Sequence, residues 1–419
     1  MEYCKRAIED VVRKADSSFK SILVSGARQT GKTTMLKKLF GDRTYILLDD
    51  PFLVETANQD PQTFLQLNKP PVILDEVQHT PGLFPFIKIA CDNAEQYGQF
   101  CLSGSQPLAL MEKTSESLAG RVCILELSTL SQREINQDPF TEPFLPTQEY
   151  LSARHQSLPP PTNLWERIHR GGYPALQDPH IDWNLYFGSY VASYLERDVR
   201  SLSAVHDLSD FRRFMVAVAA RTAQTVNYSS IANEIGKDLT TVKARMSILE
   251  TSGIIFRLEP YAPSVLRKAL KTPKIFFRDT GLAAYLSRWL TPETLAYGAM
   301  NRVFFETFVV SEIIKSYSNR GLDYRYFLSY YRGRDRKNTA GKGSYSSIES
   351  EIDLIIEENG ILHPIAIKMR PQVSADMASA FTVLDGLETK KRGMGAIICT
   401  APQPGTLREN ILQIPVSYI

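Results

Sequence analysis

Through residues 1–130, short apolar runs alternate with helix-length stretches of mixed polarity. SILVSG (21–26), TYILLD (44–49), PVILDE (71–76) and GQFCLSGS (98–105) each close on Gly, Ser or an acid. Uninterrupted apolar runs of this length predict buried parallel strands with functional C-terminal ends. The fold class expected here is α/β. Residues 138–163 are Pro-rich and include Pro159-Pro160-Pro161, which predicts a linker or irregular excursion. Residues 164–300 read as mostly helical. From residue 301 strands return as LDYRYFLSYY (322–331), EIDLIIE (351–357), ILHPIAIK (361–368) and GAIICT (395–400). Between the first two lies RGRDRKNTAGKGSYSS (332–347), polar, basic and Gly-containing, which reads as a mobile loop. No repeat with a period of roughly 20–50 residues recurs.

Composition narrows the class without supplying chemistry. The chain has 419 residues, 43% hydrophobic and 22% charged, which excludes collagen-like, mucin-like and wholly disordered proteins. At about 100–200 residues per domain, two to four domains are expected. Lys and Arg number 48 against 46 Asp and Glu, so the formal charge is +2 and any nucleic-acid contact must come from a local patch. Cys4, Cys91, Cys101, Cys123 and Cys399 are widely spaced with no CxxC pair, which argues against a disulfide framework or zinc site and for a reducing compartment. The first twenty residues lack an apolar signal core, and nowhere do about 18 apolar residues run together. The expected location is cytoplasmic, with no membrane partner.

Gly26-Ala27-Arg28-Gln29-Thr30-Gly31-Lys32-Thr33 matches GxxxxGK[ST] after a strand and ahead of the helix that starts at Thr33-Thr34. Gly26 and Gly31 let the backbone curl so that successive N–H groups face phosphate oxygens, and the helix adds its positive end. This predicts ATP as ligand and Mg²⁺ as cofactor, with residues 26–34 forming the binding loop. Lys32 would bridge the β- and γ-phosphates and the Thr33 hydroxyl would ligate Mg²⁺. The strand ending Asp75-Glu76 predicts Asp75 at the Mg²⁺ water shell and Glu76 as the group that polarises the attacking water. Ser105 or Gln106 is the candidate γ-phosphate sensor, against ordinary turn chemistry. Arg121 is the candidate charge reaching the γ-phosphate, in cis or from a neighbouring subunit, against a surface ion pair.

The order of motifs resembles a known family. GARQTGKTT, VILDEVQHTPGLFPFIK, LSGSQ, ESLAGRV, GGYPAL, YVASYLERDVRSL, KIFFRDTGLAAYL and NRVFFETFVVSEI leading to EIDLII are similar to prokaryotic AAA+-type ATPases that carry a C-terminal domain called DUF4143. The resemblance implies a P-loop NTPase parallel sheet, then a helical and winged-helix region, then an α/β restriction-endonuclease-like C-terminal domain. The expected boundaries are 1–137, 138–300 and 301–419.

Residues 227–236 read as a short helix closed by Gly236, followed by a second helix from about Leu239 to Thr251 with Val242, Met246 and Leu249 inward. GIIFRL (253–258) then reads as the first strand of a wing. As a DNA reader the second helix would present Thr240, Thr241, Lys243 and Arg245 outward, but two basic residues are few for phosphate contacts. A packing or protein-contact module is the favoured alternative.

Asn359-Gly360 between apolar runs predicts a hairpin pairing Glu358 with Ile361. Counting back sets Asp353 opposite Ala366 and Glu351 opposite Lys368 on one face, and Ile352, Leu354, Ile356, Ile365 and Ile367 on the core face. Here the resemblance implies a PD-(D/E)xK nuclease-like core in which Glu306, Asp353 and Lys368 match the helical acid, the first carboxylate and the lysine. Ala366 stands where the second metal-binding carboxylate belongs, so an inactive or binding-only relic is expected, and nuclease activity is doubtful. Glu351 could substitute or pair with Lys368. The basic stretch 332–342 (Arg332, Arg334, Arg336, Lys337, Lys342) is a second candidate DNA contact, against a solvated loop.

The six histidines show no paired ligand spacing. The expected function is an ATPase, ATP and water to ADP and phosphate, working as a nucleotide-dependent switch that associates with DNA or not. The alternatives are an ATP-gated metal-dependent DNA nuclease and a non-hydrolysing ATP-binding adaptor. Oligomerisation is left open.

Overall fold

The structure, a computed structural model, describes residues 3–105, 118–160, 162–195, 199, 207–262, 272–338, 345–387 and 390–419, with side chains of 334–338 and 345–349 excepted. Gln106 and Lys342, and the side chains of Arg334, Arg336 and Lys337, lie outside what is described.

The predicted apolar runs form four parallel strands: β1 (Ser21–Ser25), β2 (Thr44–Leu47), β3 (Val72–Asp75) and β4 (Phe100–Gly104). A fifth strand, β5 (Val122–Glu126), goes beyond the sequence pattern. It is a half-buried edge strand with the apolar run Val122-Cys123-Ile124-Leu125. The order is β2-β3-β4-β1-β5, with every pairing parallel. Alternation along β1 sends Leu23 into one core layer, with Leu74, Phe84 and Leu102, and Ile22 and Val24 into the other, with Met35 and Leu36. Helix α1 (Glu9–Asp16) precedes this sheet, and α2 (Lys32–Leu39) follows β1.

The Pro-rich segment is not a free tether. Phe144 is fully buried, and the Tyr150 hydroxyl donates to the Tyr418 carbonyl at 2.9 Å, fixing the excursion against the C-terminal end of the chain. In the middle region α3 (Leu208–Ala219), α4 (Tyr228–Ile235) and α5 (Leu239–Thr251) pack with an antiparallel sheet of β6 (Gln224–Thr225), which lies between α3 and α4, β7 (Ile255–Leu258) and β8 (Lys274–Phe277), ordered β6-β8-β7. The Asn227 and Asp238 side chains cap α4 and α5 by accepting from Ser230 N and Thr241 N. Val242, Met246 and Leu249 are buried as the periodicity predicts. Arg245 departs from expectation: it is buried, donates to the Asp210 carbonyl at 3.2 Å and lies over the Phe211 ring. Lys243, over the Tyr228 ring at 5.9 Å, is the basic residue that α5 leaves exposed.

The short helix α6 (Thr280–Leu286) follows, and after it the long α7 (Asn301–Ser318). Helix α7 is buried on most of its sides: Phe304, Phe305, Phe308, Val309, Val310, Ile313, Ile314 and Tyr317 pack into the core, and Thr307, Ser311, Glu312, Lys315 and Ser316 are buried with them. Around it runs one continuous core from Phe144 to Ile419, shared by the middle and C-terminal regions.

The C-terminal sheet holds β9 (Leu328–Asn338), β10 (Tyr345–Glu358), β11 (Ile361–Lys368), β12 (Lys391–Arg392), β13 (Gly395–Cys399), β14 (Gly405–Arg408) and β15 (Ile411–Pro415). Its order is β14-β15-β13-β11-β10-β9, with β12 beside β11. The Asn359-Gly360 turn has φ of 51° and 78°, and Glu358 pairs with Ile361 as predicted. Much of the expected loop after residue 331 is strand instead: β9 and β10 pair from Asn338↔Tyr345 inward, setting Arg332 opposite Glu351 and Arg334 opposite Glu349.

The face assignment along β10 needs correction. The register shifts between Ile352 and Ile355, a bulge that sets Asp353 and Leu354 against Tyr330 alone. Ile352 therefore joins Ile355 and Ala366 in one layer, while Leu354, Ile356, Ile365 and Ile367 join the other. Among the described residues no helix is long and apolar enough to cross a membrane.

Candidate functional site

The loop between β1 and α2 sits at the C-terminal end of β1, between β4 and β5 in the sheet. Gly26 has φ of 153°, and a Cβ there would fall 2.2 Å from the Leu127 carbonyl oxygen, so only glycine fits. Gly31, at φ 94°, turns the chain into α2. The Lys32 ammonium is buried and donates to the carbonyls of Gly26 and Ala27, both at 2.9 Å, bracing the mouth of the loop. Thr30 Oγ1 donates to Ala27 O at 2.9 Å. Arg6, unmarked by any sequence motif, holds the loop from outside. Its Nη1 donates to Thr30 O at 2.8 Å, its Nη2 to Ser128 O at 2.8 Å, and its Nε to Glu134 Oε1 at 2.9 Å. Burial opposes ionisation of Glu134, but Arg6 and the Ser131 and Ala7 N–H groups hold its carboxyl below the usual range.

Strand β3 delivers Asp75 beside this loop. One carboxylate oxygen accepts from Thr33 Oγ1 at 2.6 Å and from the Tyr45 hydroxyl at 2.7 Å; the other accepts from Ser103. Residues from β1's helix, β2, β3 and β4 thus converge on one buried carboxylate. Glu76 adopts a left-handed conformation, φ 61° and ψ 43°, rare for a residue with a side chain. Its carboxylate accepts from Gln78 Nε2, which also reaches Ser105 Oγ at 3.2 Å. Ser105 therefore lies in the site, joined to Glu76 through Gln78. The Gln78 Oε1 is buried without a partner among the described residues. Sequence reasoning assigns no role to Tyr45, Gln78 or Ser103: Tyr45 and Ser103 reach Asp75 through sheet order, and Gln78 reaches Glu76 across the turn after β3.

These residues fit Mg²⁺ and a nucleotide. The glycine cradle closes against backbone, a lysine stands at its mouth, and the hydroxyl–carboxylate pair is the hard oxygen donor set that Mg²⁺ takes.

Arg121 is not brought to this site. Its carbonyl accepts from Ser21 N at the N-terminal end of β1, a five-residue strand, roughly 16 Å from the loop. Its guanidinium pairs with Asp92. A contact in cis is excluded by that geometry. Arg278 occupies the nearer end instead: its Nη2 lies 2.8 Å from Glu126, which is in register with Ser25, and its Nε is buried without a partner among the described residues.

The middle region covers the loop. A Cβ at Gly31 would meet Pro174 at 3.7 Å, and one at Gly253 would meet the Ala27 nitrogen at 3.4 Å. The buried Asp279 carboxylate, raised by burial above its ordinary pKa, accepts from Gly172 N at 2.7 Å and Leu282 N at 3.0 Å. Helix α7 grips the chain just after β5: Glu312 accepts from Gln132 N at 2.8 Å, and Lys315 donates to Leu130 O at 3.0 Å.

A second polar cluster lies in the C-terminal sheet, with membership that sequence reasoning only half anticipates. Lys368 pairs with Asp353 at 3.1 Å, not with Glu351. Glu351 and Glu306 both pair with Lys274, at 2.5 and 2.9 Å. Burial would lower the Lys274 pKa, but Glu306, Asp353 and Glu351 reverse this and hold it above the ordinary lysine value. Burial pushes Glu306 up to about 7 against the pull of Lys274, with Asp353 and Glu351 adding repulsion. Ala366 is 5% exposed in an apolar layer with Ile355, Leu362, Phe381 and Ile397. A divalent metal does not fit this centre: an ammonium holds its middle, and the place of the missing ligand is packed with hydrocarbon. Among the described residues no group of three potential ligands is disposed to hold a metal ion.

Comparison with known proteins places these features. Residues 18–136 match the family described as AAA domain, 161–293 a domain of unknown function (DUF8612), and 303–419 a domain of unknown function (DUF4143). The uncharacterized proteins Mb2031c of Mycobacterium bovis and Rv2008c of Mycobacterium tuberculosis are each 25% identical over 368 residues, 87% of this chain and 74% of theirs. Among solved structures, the Walker-type ATPase PABY2304 of Pyrococcus abyssi is 15% identical with a TM-score of 0.42, covering 67% of this chain and 94% of that one. AMPPCP-bound DnaA from Aquifex aeolicus is also 15% identical, with a TM-score of 0.28 and coverage of 58% and 85%. With its parallel sheet and phosphate-loop geometry, the chain joins an AAA-type P-loop ATPase domain to a C-terminal DUF4143 domain.

Proposed function

We propose that this chain binds ATP with Mg²⁺, hydrolyses it, and uses the nucleotide state as a switch acting on its middle and C-terminal regions. The observation that carries the reading is the convergence of the Thr33 hydroxyl, 2.6 Å from Asp75, with the Lys32 ammonium at the mouth of the glycine loop. Residues 26–34 supply inward N–H groups to phosphate oxygens, and Lys32 turns from the loop's own carbonyls to the β- and γ-phosphates. Thr33 and Asp75 hold the cation, which when bound offsets the charge of the phosphate oxygens. Glu76, fixed by Gln78, orients the attacking water, and Ser105 reads the γ-phosphate through the same amide. In this reading residues 1–137 are the ATPase domain, 138–300 a linker, helical and winged-helix region, and 301–419 the nuclease-like domain. The α3–β6–α4–α5–β7–β8 order supports the winged helix. Glu76→Gln is expected to leave nucleotide binding within about threefold and to slow phosphate release by about 100-fold. Equilibrium binding and a phosphate-release assay measure the two; lost binding would assign Glu76 a structural role instead.

We read the winged helix as a protein-contact module. The buried Arg245 supports this. DNA titrated with and without ATP should lose less than about tenfold in affinity between 50 and 200 mM salt; a 10³-fold loss would mark a phosphate-reading surface and reverse the assignment.

A further inference from the structure

We infer that the Lys274 ammonium is the resident cation of the C-terminal acid cluster, standing where a divalent metal would stand and locking the middle region to the C-terminal domain. The cluster holds three carboxylates, Glu306, Glu351 and Asp353, and two ammoniums, Lys274 and Lys368. Lys274 starts β8, where it pairs across the sheet with Thr225 of β6 and Leu258 of β7. It therefore belongs to the middle region, while its partners stand on α7 and β10 of the C-terminal domain. Its side chain is 3% exposed.

The surroundings fix that placement. The ammonium lies 5.4 Å from the Tyr330 ring centre, and the Tyr330 hydroxyl donates to the Thr272 carbonyl two residues before Lys274. Backbone bonds run alongside, from Tyr261 N to Tyr330 O at 2.6 Å and from Tyr330 N to Glu259 O at 3.1 Å. The strand carrying the lysine is thus stitched to the sheet carrying the acids.

A metal finds no vacancy in this arrangement. Mg²⁺ asks for oxygen ligands at about 2.0–2.1 Å in near-octahedral array. Here two of the three carboxylates are directed at a nitrogen, and the third accepts from Ile367 N at 2.7 Å and Lys368 at 3.1 Å. A second cation would face Lys274, whose buried stem has no solvent to retreat into. Ala366 offers no ligand, and Lys274 supplies the positive charge. The lock does not depend on ATP hydrolysis, so its test is made without nucleotide.

Two measurements on the nucleotide-free full chain decide it. In Mn²⁺ titrations followed by electron paramagnetic resonance, wild type should show no binding that Glu306→Gln removes, up to about 1 mM. One Mn²⁺ per chain, lost in Glu306→Gln, would overturn the proposal. In thermal unfolding, Lys274→Met should lower the transition by about 10 °C, because it leaves the partly buried Glu306 without its cation and removes the more exposed Glu351's partner. Lys274→Met with Glu306→Gln should recover at least half of that shift. Additive losses would show that Lys274 contributes only its hydrocarbon stem, and would sink the idea. Should Lys274→Met fail to fold, soluble protein from the double variant counts for the pairing and its absence counts against it.

Discussion

Lys32→Ala is expected to abolish measurable ATP turnover and to weaken nucleotide binding by about 100-fold, with the fold retained. The size follows from the hydrogen bonds that an ammonium makes to phosphate oxygens. Charge-assisted hydrogen bonds contribute roughly 1.5–3 kcal/mol each, and a tenfold change in affinity is about 1.4 kcal/mol. Turnover falls further because lysine acts where charge shifts during transfer, so the loss is greater in the transition state than in the ground state. The fold survives because the loop has other supports. Arg6 still bonds the Thr30 carbonyl at 2.8 Å, and Thr30 Oγ1 still bonds Ala27 O at 2.9 Å. Circular dichroism and thermal unfolding confirm an intact chain, a nucleotide titration reads binding, and phosphate release reads turnover. Turnover within a few-fold of wild type would remove Lys32 from the site and favour a reading in which ATP, if bound at all, only stabilises the chain.

The contrast between this loop and the C-terminal centre shows what a linear sequence can carry. Gly26 through Thr33 are contiguous, and the phosphate contacts proposed for them use backbone N–H groups whose direction the glycines set, so the spacing alone is informative. The Asn359-Gly360 hairpin is legible for the same reason: two residues fix the turn and the turn fixes the register. The register then fails at the bulge, because one additional residue in β10 reverses the side on which Ile352 points while leaving the apolar pattern unchanged. Lys274 is invisible in the sequence because its partners Glu306 and Glu351 reach it only through packing of β8 against α7 and β10. Arg245 misleads in the opposite sense. An arginine between Val242 and Met246 reads as exposed by polarity, yet its acceptor is a carbonyl on α3. Arg121 sits in a plausible motif, but strand direction places it at the wrong end of the sheet.

Ala366→Glu, the substitution that restores the missing carboxylate on paper, is expected to destabilise the chain by about 3 kcal/mol and to yield no metal-dependent DNA cutting. Ala366 pairs in register with Ile397 and packs among Ile355, Leu362, Phe381 and Ile397. A glutamate there meets hydrocarbon and no donor, so it is protonated, displaces the layer, or both. Its thermal transition should fall by roughly 5–10 °C. The new group also leaves the electrostatics of the cluster unsolved, since Lys274 still pairs with Glu306 and Glu351 at 2.9 and 2.5 Å. Supercoiled plasmid incubated with the variant and Mg²⁺ or Mn²⁺ should stay uncut, matching wild type. Nicking that appears in the variant and disappears on adding Asp353→Ala would mean that the centre is one ligand short of a nuclease, with Lys274 able to yield its place to a metal. A centre that stays silent even with its carboxylate restored has been rebuilt around an internal cation, and its acids now serve the junction between two regions of the chain.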